Sequence, residues 1–86
     1  MWYVYILECA DQSLYTGTTT DLKRRFKEHH AHTTHYTSYN PPHQVVYTES
    51  FSAKSAALKR EAQIKGWTRK KKLALISGDL ASLKRL

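Results

Sequence analysis

The sequence predicts an α/β domain of the α+β type: a small three-stranded antiparallel sheet flanked by helices. Three observations predict it. Trp2 to Cys9, Leu14 to Thr19 and Gln44 to Ser50 are rich in aromatic and β-branched residues and read as strands. Three later or intervening stretches place apolar residues at helical spacing. The order is strand, strand, helix, strand, helix, helix, with no internal repeat and no domain boundary. The 86 residues suffice for one small domain. It is assigned to 1–78, with 79–86 as a short tail around Leu80 and Leu83.

Each element has its own local signals. Asp11-Gln12-Ser13 is a turn signal, so the first two strands form a hairpin. Thr20 is the expected N-cap of the first helix, with Asp21 complementing the helix dipole, and the helix runs to about Ala31. His32 to His43 is polar and holds Pro41-Pro42, so it reads as a loop. Ser52 is the expected cap of the second helix, which stops at Lys65 before Gly66, a natural residue for the position after a helix. Thr68 caps the third helix, which ends near Gly78.

Composition narrows the function classes. Hydrophobic residues make up 41% of the chain, which permits a packed core. No apolar run approaches the ~20 residues of a membrane span. The start of the chain lacks a signal-peptide pattern, and Cys9 is the single cysteine, so a reducing cytoplasm is the expected location. The net charge is +7. Between Ser50 and Gly78 eight Lys and Arg face one acid, Glu61, so that segment alone carries +7. One-sided excess of this kind favours a polyanion partner, against the alternative of a solvated basic face.

Polar residues in apolar positions mark candidate chemistry. On the first helix Leu22 and Phe26 define the inward face; His29 falls on it and Arg25 flanks it, while Lys23, Arg24, Lys27 and Glu28 point outward. On the second helix Ala53, Ala57, Leu58, Ala62 and Ile64 spread over an apolar arc that contains Glu61. An ionised carboxylate there needs a cation. Arg25 or Lys65 would serve, and so would a divalent metal, since Mg²⁺ takes only one or two protein carboxylates and keeps several waters. Strand alternation puts Tyr3, Tyr5 and Leu7 on one face, and Tyr15 shares a face with Gly17. In the hairpin Tyr5 and Tyr15 come close. A glycine inside a strand marks a bulge or a close approach.

Tyr3-Val4-Tyr5 and Tyr15-Thr16-Gly17, followed by Arg25, His29 and Glu61, resemble the GIY-YIG nuclease family in its small single-domain members. The resemblance covers about residues 1–76. It implies that Tyr5, Tyr15, Arg25, His29 and Glu61 line a catalytic site for phosphodiester hydrolysis in DNA. It also implies that Glu61 holds Mg²⁺ or Mn²⁺. Tyr3 stands in place of the family's first glycine and Thr16 in place of its isoleucine. Thr18 stands where some relatives carry lysine, and an asparagine of longer members has no match.

Phosphate contacts are expected from Lys65, Arg69, Lys70, Lys71 and Lys72, which give affinity without sequence reading. Trp67 beside them is expected either to stack on a base or to pack against the core. The expected partner is DNA, branched forms included, with RNA also open, and the expected setting is DNA repair or processing. Three rivals stand beside this reading. One is a nucleic-acid-binding module of the same fold without catalysis. Another is a transition-metal site built from His29, His30, His32 and His35. The last is a peripheral membrane helix near Arg69 to Ile76, although Leu73, Leu75 and Ile76 suit the core better.

Overall fold

The computed structural model describes residues 1–30 and 42–79, with the side chains of His29, His30, Pro42 and His43 outside that description. The order is β1 (Trp2–Cys9), β2 (Leu14–Thr19), α1 (Leu22–His30), β3 (Pro42–Phe51), α2 (Lys54–Lys65) and α3 (Arg69–Ser77). The strands form one antiparallel sheet in the order β2-β1-β3, so β1 is central and β2 is an edge. This is the α+β architecture expected from the sequence. Residues 80–86, and with them the expected tail, lie outside the described residues.

Aromatic and β-branched content makes β1 a strand, and alternation sorts its side chains into two faces. Val4 and Ile6 are fully buried and join Ala57, Ile64 and Leu75 in the main core. Trp2, Leu14, Tyr47, Phe51, Trp67 and Ile76 pack around them. Tyr5, Leu7 and Cys9 are also buried, on the opposite face. α2 packs across β1 and β2, while α1 contacts β3. The third strand is longer than its apolar run. Register shifts between Ile6 and Leu7 and between Glu8 and Cys9 each leave one extra residue on β3, the signature of bulges.

The hairpin turn closes through Gln12 N–H to the Cys9 carbonyl at 2.8 Å and Cys9 N–H to the Ser13 carbonyl at 2.9 Å. Gln12 takes a left-handed backbone, φ 70°. The Asp11 carboxylate accepts from Ser13 N–H at 2.8 Å and holds the turn.

Several helix ends differ from expectation. The N-cap of α1 is Asp21, not Thr20: its Oδ1 accepts from Arg24 N–H at 3.0 Å. Thr19 supports it, its Oγ1 accepting from Asp21 N–H at 3.1 Å. α2 starts after Ala53 with no side-chain cap, so Ser52 does not serve. α2 ends at Lys65 with Gly66 directly after it, as expected, but Gly66 takes a right-handed conformation, φ −79°, that needs no glycine freedom. At α3 the sequence reading holds: Thr68 accepts from Lys71 N–H at 3.2 Å, and Gly78 ends the helix at φ 77°.

Packing is also narrower than the apolar arcs suggested. On α2 only Ala57 and Ile64 are buried, while Leu58 and Ala62 are exposed. On α3 Leu75 is buried and Ile76 packs on the core, but Leu73 is 42% exposed. Among the described residues no helix is long and apolar enough to cross a membrane.

Candidate active site

The site begins with a register. β1 pairs with β2 so that Tyr5 faces Gly17 and Leu7 faces Tyr15. Because β2 is the edge strand and Gly17 has no side chain, the buried Tyr5 ring lies across Gly17. A Cβ at position 17 would fall on the Tyr5 hydroxyl and 2.5 Å from its Cζ. The glycine thus marks a close side-chain approach and not a bulge. Tyr15 sits diagonally from Tyr5, with ring centroids 6.5 Å apart and planes tilted by 36°. The pairing is adjacent, as the hairpin predicts, but diagonal.

α1 delivers the guanidinium. Asp21 and Thr19 fix where the helix starts, and Arg25 follows one turn later. Its Nε donates to the Tyr5 hydroxyl at 3.2 Å. Its Nη1 lies 3.5 Å from Glu28 Oε1, an i,i+3 pair. Glu28, expected to point outward, is half-buried for this reason. Sequence reading missed it, although the three-residue spacing from Arg25 was a usable signal.

The electrostatics follow from burial and this contact. Burial pushes the Tyr5 phenol above its ordinary value of 10.0, because the charged form loses water. The Arg25 bond and charge pull the other way without overcoming burial, while smaller contributions from Tyr15 and Glu61 raise it further. Tyr5 is therefore a neutral phenol near pH 7. Arg25 is held protonated beyond its ordinary value, first by its bond to Tyr5.

Glu61 comes from the other layer. It lies between buried Ala57 and Ile64 at i−4 and i+3 on α2, so it turns toward the sheet. Its side chain is 19% exposed, against 53% for Lys65, whose Nζ lies 3.7 Å from Glu61 Oε2. Of the two cations considered for Glu61, Lys65 is the one in contact; Arg25 is engaged with Tyr5 and Glu28. The structure therefore brings Tyr5, Tyr15 and Arg25 together, with Glu61 near enough for its charge to act on Tyr5. His29 lies in α1, but its side chain is outside the described residues, as is the histidine cluster of His29, His30, His32 and His35.

The donor set fits a hard divalent cation. Glu61 offers a carboxylate that is neither fully buried nor locked, since Lys65 is exposed and its ion pair is long. Among the described residues no three His, Cys, Asp or Glu side chains cluster, so no all-protein cage of the zinc type forms there. A single carboxylate with water and phosphate oxygens is the ligand set that Mg²⁺ accepts.

The basic segment is partly engaged. Arg69 Nη1 donates to the Gln12 carbonyl at 2.7 Å and ties α3 to the hairpin turn. Trp67 is half-buried against the core, with Arg60 5.1 Å and Lys71 4.4 Å from its ring centroid. That is the packing alternative for Trp67. Lys70 is exposed and Lys72 half-buried. A second network, unforeseen from sequence, joins the same layer: the Tyr47 hydroxyl donates to Glu49 at 2.5 Å, and Arg60 Nε lies 3.2 Å from Glu49.

Comparison with known proteins gives the family. Residues 1–74 match the GIY-YIG catalytic domain. A UPF0213 protein of Haloquadratum walsbyi is 54% identical over 74 residues, covering 85% of this chain and 83% of its own. One from Staphylococcus saprophyticus is 49% identical over 76 residues, covering 87% and 93%. The solution NMR structure of a UPF0213 protein from Bacillus halodurans aligns with a TM-score of 0.59 at 44% identity, covering 90% of this chain and 84% of that one. The match over most of the chain establishes that this protein belongs to the GIY-YIG family, a nuclease family, as a small single-domain member.

Proposed function

We propose that this chain is a divalent-metal-dependent endonuclease that hydrolyses phosphodiester bonds in DNA, with structure-selective or weak sequence preference, in DNA repair or processing. The observation that carries the reading is the Arg25 to Tyr5 bond made across Gly17, with Tyr15 alongside.

The residues divide the work by chemistry. Arg25 uses Nε and Nη1 on Tyr5 and Glu28, which leaves its Nη2 end for the non-bridging oxygens of the scissile phosphate. A fixed guanidinium favours the more highly charged transition state over the ground state. Tyr5 enters as a neutral phenol whose orientation is set by Arg25 and Gly17, and it positions the attacking water. Tyr15 is the second phenol within reach of that water. His29, four residues after Arg25 on α1, is the candidate proton relay. Glu61 would hold the Mg²⁺ or Mn²⁺, which supplies Lewis-acid stabilisation of charge on the phosphate and leaving oxygen when bound. Lys65, Lys70 and Lys72, with Arg69 and Lys71 nearby, supply positive field for the strand.

The experiment is a substrate panel. Duplex, single-stranded and branched DNA and RNA are incubated with the protein in Mg²⁺, in Mn²⁺ and in chelator. Cleavage that chelator abolishes supports the reading and identifies the substrate class. No cleavage of any substrate, with salt-sensitive binding retained, sinks the enzyme and leaves a nucleic-acid-binding module.

A further inference from the structure

We propose that the outward face of α1, formed by Lys23, Arg24 and Lys27, is a phosphate-binding surface that carries the nucleic-acid strand beside the Tyr5–Arg25 site. The proposal rests on the nuclease reading and adds where the substrate backbone lies.

Lys23 and Lys27 are one helical turn apart, about 6 Å along the axis, and Arg24 is three residues from Lys27, so all three share one side of the helix. All three are exposed, and with Asp21 they line a shallow groove. Like charges at these spacings repel, so the cluster works against the helix that carries it. The two carboxylates on or beside α1, Asp21 and Glu28, have other partners. The Asp21 Oδ1 caps the Arg24 amide, and Glu28 is drawn to Arg25. No ion pair among the described residues involves Lys23, Arg24 or Lys27.

Three cations of the basic segment are engaged by contrast. Lys65 pairs with Glu61, Arg69 bonds the Gln12 carbonyl and Lys71 lies over Trp67. Chain continuity supplies the last link: Arg25, the guanidinium of the site, directly follows Arg24. A backbone held by Arg25 at one phosphate meets the α1 cations at its neighbours. The exposed, unpaired positive face next to the reacting centre fits a polyanionic strand, and its contacts would be to phosphate, without base reading.

The test is the salt dependence of duplex DNA binding, measured in chelator so that no cleavage intervenes. Two variants are compared with the parent: Lys23→Gln/Arg24→Gln/Lys27→Gln and the charge-preserving Lys23→Arg/Lys27→Arg. Each lost phosphate contact reduces the slope of log K against log salt by about 0.9. The neutralised variant is expected to have a slope shallower by about 2 to 3, with an unchanged circular dichroism spectrum, and the Arg variant to keep the parent slope. An unchanged slope in the neutralised variant overturns the surface, whether or not the parent cleaves DNA. A slope lost as expected in a protein that cleaves nothing upholds the surface and sinks the nuclease reading alone. A parent that binds no DNA at all overturns the surface.

Discussion

The Tyr5 hydroxyl occupies the space that a side chain on Gly17 would need. This relationship joins sequence to site. The hairpin register sets Tyr5 opposite Gly17, the missing side chain lets the ring cross the edge strand, and Arg25 meets the hydroxyl there.

Gly17→Ala therefore has a specific consequence. The obstructing atoms belong to the Tyr5 ring, which is fully buried and has little room to yield. The substitution is expected to cost about 1–3 kcal/mol of stability, as overpacking does. It is also expected to reduce cleavage by more than that loss of folded protein explains. Thermal melts beside single-turnover rates at a temperature where the variant is fully folded would separate the two.

Removal of the Tyr5 hydroxyl tests the contact with Arg25. Tyr5→Phe and Arg25→Gln should each lower cleavage, and the double variant should lose less than their combined effects, because both singles break the same bond. The stability change for Tyr5→Phe is expected to be small, about 1 kcal/mol, since Arg25 is partly open to solvent. Fully additive losses in the rate cycle would show that the bond plays no part in catalysis.

The titration of Tyr5 has a defined sign. Its folded-state pKa is raised above 10.0, chiefly by burial, so the folded protein keeps a proton that the unfolded chain gives up. Its stabilising contribution is complete below pH 10 and is lost as pH rises through the folded value. Tyr47 acts in the same direction, raised by burial and by its bond to Glu49. Denaturant melts above pH 10 should show falling stability, and the fall should be shallower in Tyr5→Phe. A steeper fall in that variant would contradict the assignment.

Trp67 tests packing against base stacking. With its ring against the core and two cations over it, Trp67→Ala is expected to lose about 1–3 kcal/mol of stability. Affinity for single-stranded DNA in the folded variant should change by less than about threefold. A loss of ~1–3 kcal/mol in binding would instead mark a stacking platform.

The fold was legible because its signals were strong and local. Alternation in β1 separated Val4 and Ile6 from Tyr5 and Leu7, and Thr68 with Gly78 bounded the last helix. Legibility failed where neighbours compete. Thr20 and Asp21 both suit a cap, and only the position of Thr19 at the end of β2 decides for Asp21. Ser52 and Gly66 have the right chemistry at α2, but the helix starts after Ala53 without a side-chain cap, and Gly66 closes it in a right-handed conformation. In the site, the anomalous polar residues Arg25 and Glu61 could be read from helix faces. The diagonal placement of Tyr15 and the clash at Gly17 could not, because they depend on the register set by the turn at Gln12.

Glu61→Gln tests the central claim most directly. The change keeps side-chain size and removes the charge that would hold the metal and that now pairs with Lys65. Single-turnover cleavage of the preferred DNA in Mg²⁺ is expected to fall at least about 100-fold, with DNA affinity and fold unchanged. Cleavage at the parent rate would contradict the account and remove Glu61 from the reaction.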